Sequence, residues 1–245
     1  MKCLILAAGY ATRLYPLTEN FPKPLLKVGE KTILDHLLDD IAPTGLIDRY
    51  VVISNHKFAP CFFEWAKTKP LPLTVLDDGT TSNEGRLGAV RDVAFAVREL
   101  SLDDELFVIA GDNLLDFSLA RFLAYAKGKG ASSVLRYYEP SVERLKKCGV
   151  LEIGEDDKIL SMVEKPAEPK SNWCCPPFYY FTKEDARRVE EGIAAGCGVD
   201  APGSFIAWLS SVSCVYAMEM PGRRYDIGDL KSYEEVKKNY RGIEK

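Results

Sequence analysis

The chain has 245 residues, 47% of them hydrophobic, with 36 acidic against 32 basic side chains and a formal charge of −4. That length buries one full core and is short for two independent ones, and the charge excludes a nucleic-acid binder held mainly by phosphate contacts. No apolar run approaches the roughly 20 residues of a membrane-spanning helix, and the first apolar segment lacks a signal-peptide cleavage site. A cytoplasmic protein without membrane contact is therefore expected. Seven cysteines without a C-x-x-C pair point to reduced thiols rather than a disulfide framework or a zinc site.

In chain order, the strand Cys3–Leu6 ends at Gly9, a helix follows over Ile33–Ile41, and strands are expected at Tyr50–Ile53 and Leu73–Leu76. A helix through Leu87, Val90, Val93, Ala94 and Val97 then leads to the strand Leu106–Ala110. This alternation predicts an α/β fold with a Rossmann-like, mostly parallel sheet sandwiched by helices. After Ala131 the pattern changes to turn-separated strands at Ser133–Tyr138, Gly149–Ile153, Ile159–Val163 and Phe178–Phe181, a small β-rich lobe on the same sheet. A helix from about Lys183, the strand Cys214–Met220 and a helix from about Asp229 complete one domain. The change of pattern divides it into a first half over about 1–130 and a second over about 131–245.

Neither common phosphate signature, G-x-x-x-x-G-K-[ST] or G-x-G-x-x-G, occurs. Thr32 with Asp35 reads as a helix cap. The loop after the first strand is more informative: Leu6, Ala8, Gly9, Tyr10, Ala11, Thr12 and Arg13 place backbone N–H groups, a hydroxyl and a guanidinium at the carboxyl edge of the sheet. Lys23 lies between Pro22 and Pro24, which should stiffen the backbone and bar a helix there. An alanine at position 11 is compatible with a phosphate loop if its φ is negative and its methyl turns away; a positive φ would count against a nucleotide there. Asp112 follows the strand Leu106–Ala110, and Asp226 follows a late strand. Together they suit one Mg²⁺ completed by substrate phosphates.

The ordered set Leu6–Leu14, Pro22-Lys23-Pro24, Gly111-Asp112-Asn113, Glu164-Lys165-Pro166 and Asp226-Ile227-Gly228 resembles that of the sugar-1-phosphate nucleotidylyltransferases, the family that includes glucose-1-phosphate thymidylyltransferase. The resemblance spans nearly the whole chain. It implies the nucleotide-diphospho-sugar transferase fold and a reaction in which a sugar phosphate oxygen attacks the α-phosphorus of a nucleoside triphosphate, releasing pyrophosphate. By position, Arg13 and Lys23 hold the triphosphate, Asp112 and Asp226 hold Mg²⁺, Lys165 orients the acceptor phosphate, and Asn113, Gly149, Glu164 and Tyr179 face the acceptor. Asn83 and Gly88 stand where relatives contact the base, although relatives carry glutamine at the first of these, and a structural turn at Asn83 is an equal reading.

A phosphate monoester is mostly a dianion at pH 7 and needs no general base, which fits a chain whose two histidines, His36 and His56, read as structural. Pro176-Pro177 replaces the small Thr-Gly pair of the family, beside Trp173, Tyr179 and Tyr180. Those aromatics keep open a cytidylyltransferase acting on phosphocholine or another non-sugar phosphate, set against an ordinary core reading for Phe178 and Tyr180. A non-catalytic nucleotide-binding subunit is the alternative from another class. A metal-chelating Asp-x-Asp of glycosyltransferases is absent. The end of the chain soon after the last helix suggests a single activity, and self-association stays open.

Overall fold

The computed structural model describes residues 1–243, and the chain divides into two compact units. The first comprises Met1–Arg86, Ala110–Ala120 and the segment from Pro221 onward. In it the strands Lys2–Leu6, Arg49–Ser54 and Leu73–Asp77 pair in parallel, with Leu4 opposite Val51 and Val51 opposite Thr74. Cys3, Leu4, Ile5, Val51, Val52 and Ile53 are all fully buried. Unbroken apolar runs of this kind are what a parallel sheet covered on both faces requires.

The helices Ile33–Ile41 and Ala59–Lys67 lie in the connections between these strands. The first buries Ile33, Leu34, Leu37, Leu38 and Ile41 on one stripe. Its start is fixed by the expected cap: Asp35 N–H donates to Thr32 Oγ1 at 3.0 Å while Thr32 N–H donates to Asp35 Oδ2 at 3.2 Å. The helix Ala59–Lys67 carries Pro60 in its first turn, and its apolar stripe is too short to stand out in the sequence.

A second, smaller pairing in this unit governs the site. The strand Asn113–Leu115 runs antiparallel to Arg224–Asp226, so that Asn113 sits opposite Asp226. The following helix, Leu230–Asn239, is capped by Asp229, whose carboxylate accepts from Ser232 N–H at 2.8 Å. Its Tyr233 and Val236, with Tyr240 beyond it, pack with Leu14, Leu26, Ile33, Leu114 and Ile227 in one apolar cluster. The anchor under the first loop is thus supplied by residues more than 200 positions later in the chain.

The second unit comprises Leu87–Ile109 and Arg121–Met220. Its strands are mainly antiparallel: Phe178–Phe181 pairs with Leu106–Ala110 and with Ser132–Tyr138, and Trp173–Cys175 pairs with Ser132–Tyr138 and with Gly149–Ile153. Ile159–Glu164 forms the edge beside Gly149–Ile153. Val215–Glu219, somewhat shorter than the expected Cys214–Met220, pairs in parallel with Ser132–Tyr138. Helices Ala89–Glu99, Ala120–Lys129 and Gly203–Val212 accompany them. The expected α/β class is observed. Among the described residues no helix is long and apolar enough to cross a membrane.

Candidate active site

The strand Lys2–Leu6 delivers the loop Ala7–Arg13 to the carboxyl edge of the parallel sheet. Among the contacts that hold the loop, Asn55 Nδ2, on a fully buried side chain, donates to Ala8 O at 2.9 Å, and Tyr10 Oη donates to Thr80 O at 3.1 Å. Sequence reasoning missed Asn55, whose only signal is a polar residue directly after the strand Arg49–Ser54 at the same edge. Gly9 is exposed, its φ is not positive, and a Cβ built there meets nothing within 4 Å. The fold itself does not require a glycine at position 9.

Residue 11 departs from expectation. Ala11 has φ 47° and ψ 43°, the left-handed region, where the sequence reading called for a negative φ. Its carbonyl accepts from Leu14 N–H at 2.9 Å and from the buried hydroxyl of Thr18 at 2.8 Å, and the turn from Thr12 to Leu14 begins from that orientation. The methyl packs against the cluster around Leu14 and Ile227, and Ala11 also lines the cavity beside Arg13. Left-handed alanine costs roughly 1–2 kcal/mol, so the loop is not the relaxed phosphate wrapper expected. A left-handed Ala11 counts against a nucleotide at residue 11, and the weight passes to Gly9, Arg13 and Lys23. Ala11→Gly is expected not to lower stability in urea unfolding. A loss near 1 kcal/mol, the usual cost of an added glycine, would show that residue 11 is not left-handed in solution.

Lys23 also differs in detail. The two prolines do not bar a helix: Lys23–Leu25 forms a 3-10 turn with Pro24 among its first residues, where a missing N–H costs nothing. The side chain of Lys23 is 8% exposed, and its ammonium lies 2.7 Å from Asp112 Oδ2. Burial works against the Asp112 carboxylate, but the Lys23 charge, its hydrogen bond and then Arg224 outweigh it and hold Asp112 below the ordinary carboxylate range. Gly111 lets Asp112 approach, because a Cβ there would lie 2.9 Å from Ile5 Cγ2.

These residues share one cavity of about 140 Å³, lined among others by Gly9, Arg13, Lys23, Asp112 and Gly228. Arg13 is exposed, and its Nη1 lies 3.9 Å from a Cβ built on Gly228. Asp226 has a side chain 60% exposed, near Arg224. Among the described residues no group of three or more His, Cys, Asp or Glu side chains could hold a metal alone. Two carboxylates are hard oxygen donors and fit a cation that keeps waters and takes phosphate oxygens as its remaining ligands, as Mg²⁺ does.

Asn113 is 1% exposed, with both ends of its carboxamide engaged: Nδ2 donates to Asp112 Oδ1 at 2.8 Å and Oδ1 accepts from Arg224 Nη1 at 2.7 Å. Its carboxamide thus links Asp112 to Arg224, where the sequence reading places it against the acceptor. Asn83 lies in the turn at 82–86, its carbonyl accepting from Arg86 Nη1 at 2.8 Å. His36 hydrogen-bonds Val28 O and packs edge-on to Tyr240, and His56 pairs with Asp77 at the surface.

In the second unit, Glu164 lies over two glycines: a Cβ on Gly149 would be 2.9 Å from its Oε2, and one on Gly203 would be 2.7 Å away. Gly203 and Met162, whose Cε also crowds both glycines, were not legible as neighbours from the sequence. Burial pushes the Glu164 carboxyl up, Lys165 opposes this, and Asp200 reinforces it. Lys165 is exposed at φ 49°, its N–H donating to Cys148 O at 2.9 Å. Gly88, with φ 92°, lies against the backbone of Val199 and Asp200.

Tyr179, expected to face the acceptor, is 3% exposed and stacks on Phe181 in an apolar surround with Val90 and Phe205. Tyr180 is equally buried, and the Trp173 ring carries the Arg136 guanidinium at 4.7 Å. The aromatics that kept a quaternary-ammonium pocket open are therefore core residues or already hold a cation.

A glycine-bearing strand-to-loop turn, two cations and the carboxylate of Asp112 thus share one cavity at the edge of an α/β sheet. The chain belongs to the nucleotidyl transferase family, whose model matches residues 2–242. It is 28% identical over 248 residues to a glucose-1-phosphate adenylyltransferase of Fervidobacterium nodosum, covering 95% of this chain and 59% of that protein. It is 29% identical over 234 residues to the catalytic subunit beta of a mannose-1-phosphate guanylyltransferase of Drosophila pseudoobscura pseudoobscura, covering 95% and 60%. A solved UDP-glucose pyrophosphorylase complexed with UDP-glucose superposes with a TM-score of 0.82 at 20% identity, over 98% of this chain and 97% of that one, which shows the shared fold. The chain spans between 51% and 62% of the length of three of the curated relatives it matches.

Proposed function

We propose that the protein condenses a sugar 1-phosphate with a nucleoside triphosphate to give a nucleotide-sugar and pyrophosphate. The observation that carries this reading is the common cavity of Gly9, Arg13, Lys23, Asp112 and Gly228. The N–H groups of the loop, Arg13 and Lys23 bind the triphosphate and hold its α-phosphorus in line for attack. Lys165 orients the acceptor phosphate, with Glu164 and Gly149 on the sugar hydroxyls. The acceptor dianion attacks without a general base, and fixed cations offset the charge on the departing pyrophosphate. Mg²⁺, held by Asp112 and Asp226, supplies further neutralisation of phosphate charge when bound. Relatives named for adenylyl and guanylyl transfer leave the base undecided by kinship.

The test is pyrophosphate release, measured with each of the common nucleoside triphosphates against a panel of sugar 1-phosphates and phosphocholine. Turnover with phosphocholine alone, or with no pair, would overturn the proposal. Gly9→Ala sharpens it, because the space at that position is open and the backbone ordinary. Unfolding should be unchanged, while kcat/KM falls by about tenfold or more through a methyl placed where the phosphates approach. Full activity in that variant would move the triphosphate off Gly9.

A further inference from the structure

Arg224 had no role in the sequence reading, and its surroundings give it one. Arg224 and Asp226 are two residues apart on one strand and so point to the same face, with Asn113 directly opposite Asp226 on the partner strand. Arg224 is a largely buried cation, its side chain 17% exposed. Its Nη1 donates to Asn113 Oδ1 at 2.7 Å and lies 3.8 Å from Asp226 Oδ1. The other end of the same carboxamide donates to Asp112 Oδ1 at 2.8 Å and approaches Ala110 O at 3.4 Å. That set of partners admits only one orientation of the amide: the oxygen must face the guanidinium, and the nitrogen the two acceptors.

We infer that Arg224 is a positioning residue for the cation site, fixing Asp112 through the carboxamide of Asn113 and Asp226 by direct charge, so that two carboxylates that would otherwise repel are held ready for one divalent ion. The inference rests on the assignment of Asp112 and Asp226 as the metal carboxylates. Lys23 already occupies Asp112 Oδ2. The orientation of the whole carboxylate is therefore set from two sides, by an ammonium on one oxygen and by the Asn113–Arg224 relay on the other.

The sign of the effect separates positioning from simple charge. A nearby guanidinium repels an incoming cation, so if Arg224 were only background charge its removal would tighten metal binding. If it positions the ligands, removal weakens binding, on the scale of about tenfold found for groups that orient metal ligands. Mn²⁺ is the probe, titrated into the whole chain with free Mn²⁺ read by electron paramagnetic resonance and folding checked by near-ultraviolet circular dichroism.

Arg224→Met is expected to weaken Mn²⁺ binding by about tenfold and Asn113→Leu by somewhat less, because Arg224 also holds Asp226 directly, while the double variant should be no weaker than Arg224→Met, since both reach Asp112 through one relay. Arg224→Lys, which keeps a charge and a donor at this site, should recover part of the loss and serves as the folded comparison if the methionine variant is unstable. Unchanged or tighter binding in folded Arg224→Met, or additive losses in the double variant, would overturn the inference. Asp112→Asn guards the premise. If it leaves Mn²⁺ binding intact, the metal assignment fails; if it removes binding while Arg224→Met has no effect, the positioning role alone fails.

Discussion

Asp112→Asn is expected to lower turnover by about 10²–10³-fold, the range seen when one fixed electrostatic group is removed from a reacting centre. Its structural cost is separable. Lys23 keeps a side chain only 8% exposed, and loss of the carboxylate leaves its ammonium without a salt bridge 2.7 Å away. Because Asp112 is 38% exposed, water screens part of that loss, so the expected cost is on the order of 1–2 kcal/mol rather than the 3–5 of a fully buried pair. Asp112→Asn combined with Lys23→Met should recover most of the stability, since an uncharged, similarly long side chain then fills the buried position. Turnover should recover not at all. Pyrophosphate release with urea unfolding on the three variants checks both halves. A double variant as unstable as the single would show that the pair is not the source of the cost, and an active Asp112→Asn would remove Asp112 from the chemistry.

The parallel strands, the capped helix Ile33–Ile41 and the order of the charged motifs could be read from the chain because each is written in local pattern: unbroken apolar runs, a 3.6-residue stripe, a Thr and an Asp three apart. The pairing of Asn113–Leu115 with Arg224–Asp226 could not, since each strand is three residues long and its partner is more than 100 positions away. With it went the roles of Asn113 and Arg224, which exist only through that register. Residue 11 failed for a different reason. Its backbone angle is set by what its carbonyl binds, including the Thr18 hydroxyl seven residues on, and no propensity of alanine announces that. Tyr179 shows the limit of strand alternation: all four residues of Phe178–Phe181 are buried, so period two did not separate a ligand face from a core face.

Gly88→Ala is expected to destabilise the protein by about 4 kcal/mol, combining strain and overpacking. Gly88 was read from sequence as a base contact, yet its immediate surroundings demand glycine whether or not a base lies nearby. Its φ of 92° with ψ of 150° is backbone essentially reserved for glycine. A Cβ there would sit 2.5 Å from Val199 O, 2.9 Å from Val199 C and 3.1 Å from Asp200 Cα, all backbone atoms that no rotamer change can move. Nor can the segments part cheaply, because Ala89 N–H donates to Asp200 O at 3.2 Å and Val90 N–H to Val199 O at 3.0 Å, seating the first turn of the helix Ala89–Glu99 on them. Gly128 is the control: it lies within the helix Ala120–Lys129, with nothing within 4 Å of an added Cβ, so its alanine variant should not lose stability. Urea midpoints for the two variants decide the matter. Were Gly88→Ala as stable as Gly128→Ala but deficient in nucleotide binding, the glycine would be kept for a ligand and not for this crossing of chains.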